Sequence, residues 1–265
     1  MKSFNLSGMQ EIPISKDVML KLFAGVPSDA ILVGGQALAY WIENFNIDPI
    51  QGCPEGEEYV SRDADFLGTR EHVKIFSEIV SGIADYPSEK AMTILCGQIF
   101  LVKNDDKTYM NIDVIHRIGN MDSEAVRRRA VEASIQGNVF LVMHPLDVLV
   151  SRVENYRGIK EKQTSNGLRQ VSLSIDVAKS YVAEAIERDE KVAIKAIEKI
   201  AEVARSAAGA YARKNGAEIY NALDPSVFAT SIENENFLFR RLPKLIAEIE
   251  DAKRVESILI EKPKG

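Results

Sequence analysis

The chain has 265 residues, with 33 Lys plus Arg against 39 Asp plus Glu for a formal net charge of −6, and 46% of its side chains are hydrophobic. These proportions describe a globular chain of one large or two modest domains and exclude a disordered, collagen-like or low-complexity one. They also exclude a protein that coats nucleic acid through overall basic charge. The acidity is uneven: residues 1–150 carry 13 basic and 21 acidic side chains, a net of −8, whereas residues 151–265 carry 20 and 18, a net of +2.

In chain order, residues 15–25 have helical spacing of Val18, Leu20, Leu22 and Phe23. Residues 29–33 form a short apolar run that stops at Gly34-Gly35, a strand ending in a turn, and residues 37–45 follow as a helix. Residues 46–60, with Pro49, Gly52, Pro54 and Gly56, read as a loop. A short strand is expected at 62–67, an amphipathic helix at 71–83, strands at 92–95 and 98–102, a turn at 104–107 and a strand at 109–115, so that 98–115 reads as a hairpin. A helix capped by Ser123 or Asp122 is expected over 123–134 and a last strand over 139–143. After Pro145 the texture turns helical, with helices expected at 146–156, 172–187, 191–213 and 242–260. The plan is a mixed α/β unit over 1–144 and an all-helical unit over 145–265.

Cys53 and Cys96 match no metal spacing and fit a reducing cytosol. The start of the chain lacks the apolar core of a signal peptide, and the most apolar stretch, 30–42, is too short to span a bilayer. The expectation is a cytoplasmic protein with no membrane partner.

The residues that carry chemistry are Asp63-Ala64-Asp65 and Asn111-Ile112-Asp113-Val114. Positions i and i+2 of a strand share a face, so Asp63 and Asp65 project together while Ala64 and Phe66 face the other way. Adjacent carboxylates repel one another unless a cation lies between them. Asp113 sits between apolar neighbours in a strand, where an aspartate needs a partner. If the two strands are neighbours, three carboxylates converge into a hard oxygen set suited to Mg²⁺ shared with substrate phosphates. A pair of divalent ions in such a site activates an attacking hydroxyl and steadies the leaving group. An isolated Asp-x-Asp is weak evidence, since acidic residues also form turns or pair with cations such as Arg62, Arg70 or Arg117.

Val33-Gly34-Gly35-Gln36-Ala37 ends a strand and opens a helix, where glycine lets the backbone approach closely and the helix N-terminus attracts phosphate. It is neither a Walker loop nor a dinucleotide fingerprint, and a Gly-Gly pair also serves as a plain tight turn.

In combination these features are more specific. A glycine turn opening a helix, a strand with Asp-x-Asp and a distant strand with one Asp resemble the nucleotidyltransferase superfamily across residues 30–115. Gly-Gly-Gln-Ala-Leu and Ser-Arg-Asp-Ala-Asp-Phe are similar to its AbiEii-type toxin and minimal nucleotidyltransferase branch. The resemblance implies an α+β fold, a mixed sheet flanked by helices and followed by an all-helical C-terminal domain. It implies transfer of a nucleoside monophosphate from an NTP such as ATP or GTP to a hydroxyl, with Mg²⁺ or Mn²⁺. Asp63, Asp65 and Asp113 would be catalytic and hold the metals, while Gly34, Gly35 and Gln36 would contact the triphosphate. Gln36 departs from the Ser or Thr that many members carry at this turn.

The same branch carries a cation in the helix after the catalytic unit, here Arg152, with Lys160 and Lys162 as weaker candidates, and such a cation offsets charge in phosphoryl transfer. The implied acceptor is a macromolecule, RNA (tRNA among them) or protein, in a toxin–antitoxin or phage-defence setting with an antitoxin as partner. The alternatives are a small-molecule acceptor, as in antibiotic nucleotidyltransferases, or a nucleotide-binding or interaction module without turnover. Arg127-Arg128-Arg129 and Arg240-Arg241 are candidate RNA phosphate contacts, although short basic runs are commonly solvated helix faces. His72, His116 and His144 have no zinc spacing and read as structural, and Tyr40, Trp41 and Phe45 read as core.

Overall fold

The computed structural model describes residues 6–49, 62–88, 90–103 and 107–260. Cys53, most of the loop expected at 46–60 and most of the turn at 104–107 lie outside these residues. The chain divides into two compact units, Met1–Ser151 and Arg152–Gly265. No helix among the described residues is long and apolar enough to cross a membrane.

The first unit is α+β: an open mixed sheet with flanking helices. Its elements are β1 (Gln10–Glu11), α1 (Lys16–Gly25), β2 (Ile31–Val33), α2 (Gly34–Asn44), β3 (Ala64–Leu67), α3 (Arg70–Val80), β4 (Ile83–Asp85), β5 (Leu95–Lys103), β6 (Thr108–Ile115), α4 (Ser123–Arg129), β7 (Val131–Ile135) and β8 (Asn138–Val142). The strands run β4-β5-β6-β3-β2-β8-β7, and β1 lies parallel to β6 along Thr108 and Tyr109. The neighbours β3 and β6 are parallel, while β2 runs antiparallel to β3. Strands so arranged bury both faces near the centre, and Ile31, Leu32 and Val33 of β2 are all buried.

Packing follows from the alternation in β3. Ala64 and Phe66 are sealed from solvent, and the Phe66 ring lies 4.6 Å from that of Phe76 on α3. Burying one such ring stabilises the fold by about 2–3 kcal/mol. On α3 the buried residues His72, Val73 and Phe76 recur at helical spacing. Phe23 of α1 stacks on Phe140 of β8 with ring centres 4.0 Å apart, and the Trp41 indole N–H donates to the Met143 carbonyl at 2.8 Å. Trp41 is therefore core with its one polar atom satisfied, and Tyr40 packs edge-on against both Trp41 and Phe140.

Several elements differ from the sequence expectation. The helix expected to reach Ile83 stops at Val80, because Ser81 enters the left-handed region (φ 52) and the Gly82 N–H returns to the Ser77 carbonyl. Residues 83–85 then form β4. The helix expected over 123–134 ends at Arg129, and 131–135 form β7, joined to β8 by Gln136 and Gly137 with φ of 51 and 82. Two positive φ values in succession match the twist of a tight hairpin, so the turn selects strand over helix. Of the strand expected at 92–95 only Leu95 is strand, as the first residue of β5, which takes in the strand expected at 98–102 and has a pairing irregularity between Leu95 and Gly97.

α5 (Pro145–Gly158) contains the division between the units. The second unit is helical: α6 (Ser165–Arg188), α7 (Glu190–Arg205), α8 (Ala207–Lys214), α9 (Pro225–Ser231), a π-helical turn at Phe237–Arg241 and α10 (Leu242–Ile260). Asp189 separates α6 from α7, its carboxylate accepting from the N–H groups of Lys191 and Val192. The helix expected across 191–213 is broken at Ser206, whose hydroxyl accepts from the Gly209 N–H at 3.0 Å and caps α8. The core here is small and aliphatic, with Ala193, Ala196, Ile197, Ile200 and Ala204 buried along α7.

Candidate active site

Parallel pairing of β3 with β6 sets Asp65 opposite Asp113, and antiparallel pairing of β2 with β3 sets Val33 opposite Asp65. Asp63 lies immediately before β3 and presents its carboxylate to the same side. One carboxylate oxygen from each of Asp63, Asp65 and Asp113 lies within 4.8 Å of the others, and all three residues are half-buried. Residues distant in sequence thus meet through strand register alone.

The glycine turn is built around this cluster. Gly34 has φ 67, and a Cβ placed on it would come within 1.9 Å of Asp65 Oδ2. The position requires glycine twice over, for its backbone conformation and for the carboxylate pressed against it. Gly35 is the second residue of α2, which runs from the carboxylate side of the sheet. Gln36 lines a cavity of about 460 Å³ with Lys16, Phe23, Leu32 and Tyr40. Leu32 pairs with Phe66 whereas Val33 pairs with Asp65, so this cavity reaches the sheet face opposite the carboxylates.

Two side chains beyond the sequence candidates fix Asp113. Gln98 Nε2 and Asn111 Nδ2 both donate to Asp113 Oδ1, each at 2.8 Å. Asn111 shares the face of Asp113 by alternation, and Gln98 pairs with Asp113 across the β5–β6 hairpin. Two donors on one oxygen set the plane of the carboxylate. The hairpin supplied the signal: closing Lys103 against Thr108 brings Gln98 opposite Asp113. Asn111 Oδ1 is buried and has no hydrogen-bond partner among the described residues. Two rungs along the same face, the Tyr109 phenol is raised above its ordinary range, first by burial and then by the charges of Glu11 and Asp113. It stays protonated at neutral pH.

The remaining candidates divide by unit. Arg152 belongs to the second unit, where it is buried and its Nη1 donates to Gln170 Oε1 at 3.0 Å. Lys160 and Lys162 are exposed on a short 3-10 turn. In the first unit Arg127 donates to the Asp29 carbonyl at 3.0 Å, and Arg129 grips the buried Asp147 through two bonds of 2.8 and 3.0 Å. Both arginines therefore have structural roles, and of the three only Arg128 is left without such a bond among the described residues. Arg241 pairs with Glu198 at 2.9 Å.

His72 accepts from the Thr69 N–H through Nδ1 at 3.2 Å and faces Asp29 through Nε2 at 3.0 Å, which closes the first turn of α3. His144 accepts from the Leu146 N–H at 3.2 Å, and burial pushes its pKa down. His116 is exposed.

Three hard oxygen donors at this spacing, with two side-chain amides behind one of them, suit a small divalent cation. No family model, curated protein or solved structure matches this chain.

Proposed function

We propose that the protein is a divalent-cation-dependent nucleotidyltransferase. The observation that carries the reading is the convergence of Asp63, Asp65 and Asp113 within 4.8 Å, with Gly34 held against Asp65 at the start of α2. Three carboxylates this close repel one another, and a divalent cation that they jointly bind would relieve that repulsion. Asp63, Asp65 and Asp113 would hold Mg²⁺ or Mn²⁺. The metal would supply charge neutralisation at the phosphates and help ionise the attacking hydroxyl.

In the reaction, a bond forms between the acceptor oxygen and the α-phosphorus of the NTP. The bond from that phosphorus to the β-phosphate bridging oxygen breaks, pyrophosphate leaves, and the hydroxyl proton passes to solvent or a nearby base. The chain's own part is positional. The turn at Gly34 and Gly35 lets the backbone come close to the triphosphate at a helix N-terminus. Gln98 and Asn111 hold Asp113 in one orientation, and the opposite sheet face, packed through Phe66 and Phe76, keeps β3 in place. In this reading the acceptor is a macromolecule, RNA or protein, and a neutralising antitoxin is its natural partner.

The test is incubation of the protein with each α-labelled NTP, Mg²⁺ or Mn²⁺ and a cell extract. Label is expected on one class of acceptor, with loss of at least a hundredfold in Asp63→Ala and Asp65→Ala. Unchanged labelling in both variants sinks the proposal. Label on a small molecule instead would move the acceptor without altering the chemistry.

A further inference from the structure

A second feature lies wholly within the helical unit. The groove between α7 and the π-turn with the start of α10 has a volume of about 480 Å³, within the range of ligand sites. Its floor is apolar, with Ile197, Ala201, Phe237 and Leu245, and its walls are charged. Five cations line it, Lys195, Lys199, Arg205, Arg241 and Lys244, against three carboxylates, Glu198, Glu202 and Glu248.

Each carboxylate is already matched. Glu198 pairs with Arg241 at 2.9 Å, Glu202 with Lys199 at 2.9 Å and Glu248 with Arg205 at 2.8 Å. Two of these pairs join α7 to the opposite wall and hold the groove's width. The Tyr220 hydroxyl also donates to Glu248 at 3.1 Å. Lys195 on α7 and Lys244 on α10 have no ion pair among the described residues, so two surplus positive charges face one concave space. Like charges across a groove repel unless an anion joins them.

The wall is also irregular where it meets these charges. Residues 237–241 form a π-turn, a distortion that recurs at functional sites. This turn holds Phe237 in the floor and puts Phe239 out at 76% exposure, next to Arg240 and Arg241. Phe239 follows Phe237 by two residues on this turn and lies outside the groove's lining, so the groove presents its cations and its apolar floor alone.

We propose that this groove binds phosphate groups carrying at least two neighbouring negative charges, as in an oligophosphate or the backbone of a single-stranded nucleic acid. Lys195 and Lys244 are the recognising cations, and the relative affinity for a short and a long phosphate chain separates the two sources. The inference does not depend on the three aspartates, and its test needs neither NTP nor metal.

Full-length protein in metal-free buffer is titrated with inorganic tripolyphosphate, with a fluorescein-labelled single-stranded RNA and with polyglutamate at two salt concentrations. Native protein, Lys195→Gln, Lys244→Gln and Phe239→Ala are compared after thermal melting shows that each is folded. All three positions are exposed, so the fold tolerates these changes. Both phosphate ligands are expected to bind more tightly than polyglutamate. Each lysine variant is expected to weaken them three- to tenfold and to reduce the salt slope by about one. Phe239→Ala, outside the groove, is expected to leave both unchanged; RNA binding at least fivefold tighter than tripolyphosphate makes the ligand nucleic acid, and equal or tighter binding of tripolyphosphate makes it a free oligophosphate. Equal binding of polyglutamate, or native affinity in both lysine variants, overturns the proposal.

Discussion

The carboxylate cluster of the first unit and the ion pairs of the second handle charge in opposite ways. In the second, carboxylates sit beside cations supplied by neighbouring turns or a packed helix, as in Glu184 with Arg188, Glu202 with Lys199 and Glu248 with Arg205. In the first, Asp63, Asp65 and Asp113 are drawn toward one another by strand pairing, and two neutral amides donate to Asp113 Oδ1. Exposed pairs of the first kind contribute little and need no ligand. A same-sign cluster costs stability unless a counter-charge offsets it. The difference separates charge used for solubility and helix support from charge that, in the proposed function, would hold a cation.

Breaking the scaffold beneath the cluster should have the largest effect. Phe66→Ala removes a fully buried ring and is expected to cost about 3–5 kcal/mol in denaturant unfolding. Next, Gly34→Ala introduces a methyl group at a positive φ and into the Asp65 carboxylate. Backbone strain alone should cost about 1–2 kcal/mol, and the displaced carboxylate should abolish Mn²⁺-dependent stabilisation in a thermal melt.

Asp65→Asn should have the opposite sign on stability. Removing one of three clustered charges should raise metal-free stability by about 1 kcal/mol while abolishing the upward shift that Mn²⁺ gives the native protein. A decrease in metal-free stability would mean that the cluster is structural, and the contrast between the units would fail. Gln98→Ala should cost about 1 kcal/mol for the lost bond to Asp113. It should also raise the Mn²⁺ concentration needed for half-maximal stabilisation several-fold, which a purely structural glutamine would leave alone. At the other end of the scale, Arg188→Ala breaks an exposed i,i+4 pair in the helical unit, and its effect should stay below about 0.5 kcal/mol.

Local rules made the aspartates legible in the sequence. Alternation put Asp63 with Asp65 and turned Phe66 inward, and the glycine pair marked where a strand gives way to a helix. The neighbourhood of β3 and β6 could not be read this way, because it is a tertiary pairing with 47 residues between Asp65 and Asp113. Gln98 was within reach, since the hairpin register that pairs Lys103 with Thr108 places it opposite Asp113. β7 was missed because Glu132, Ala133 and Ser134 continue the helical texture of the residues before them, and only Gln136-Gly137 announces the hairpin. Ser206 was missed because alanines on both sides carry the helical pattern through a position whose hydroxyl caps a new helix. The groove of the helical unit lies further still from sequence, for Lys195 and Lys244 line one space only when α7 and α10 come together.

The pairing of Asp65 with Asp113 also sets an order of events in synthesis. A chain emerging from its N-terminus presents the glycine turn and the first two aspartates well before β6 exists, and a parallel partner 48 residues away closes slowly against loop entropy. Until β6 docks, the nascent protein holds only two of the three clustered carboxylates. A cation that binds the finished cluster then acts on the newly made chain as a latch, since every ion bound withdraws material from the states in which β3 and β6 are apart.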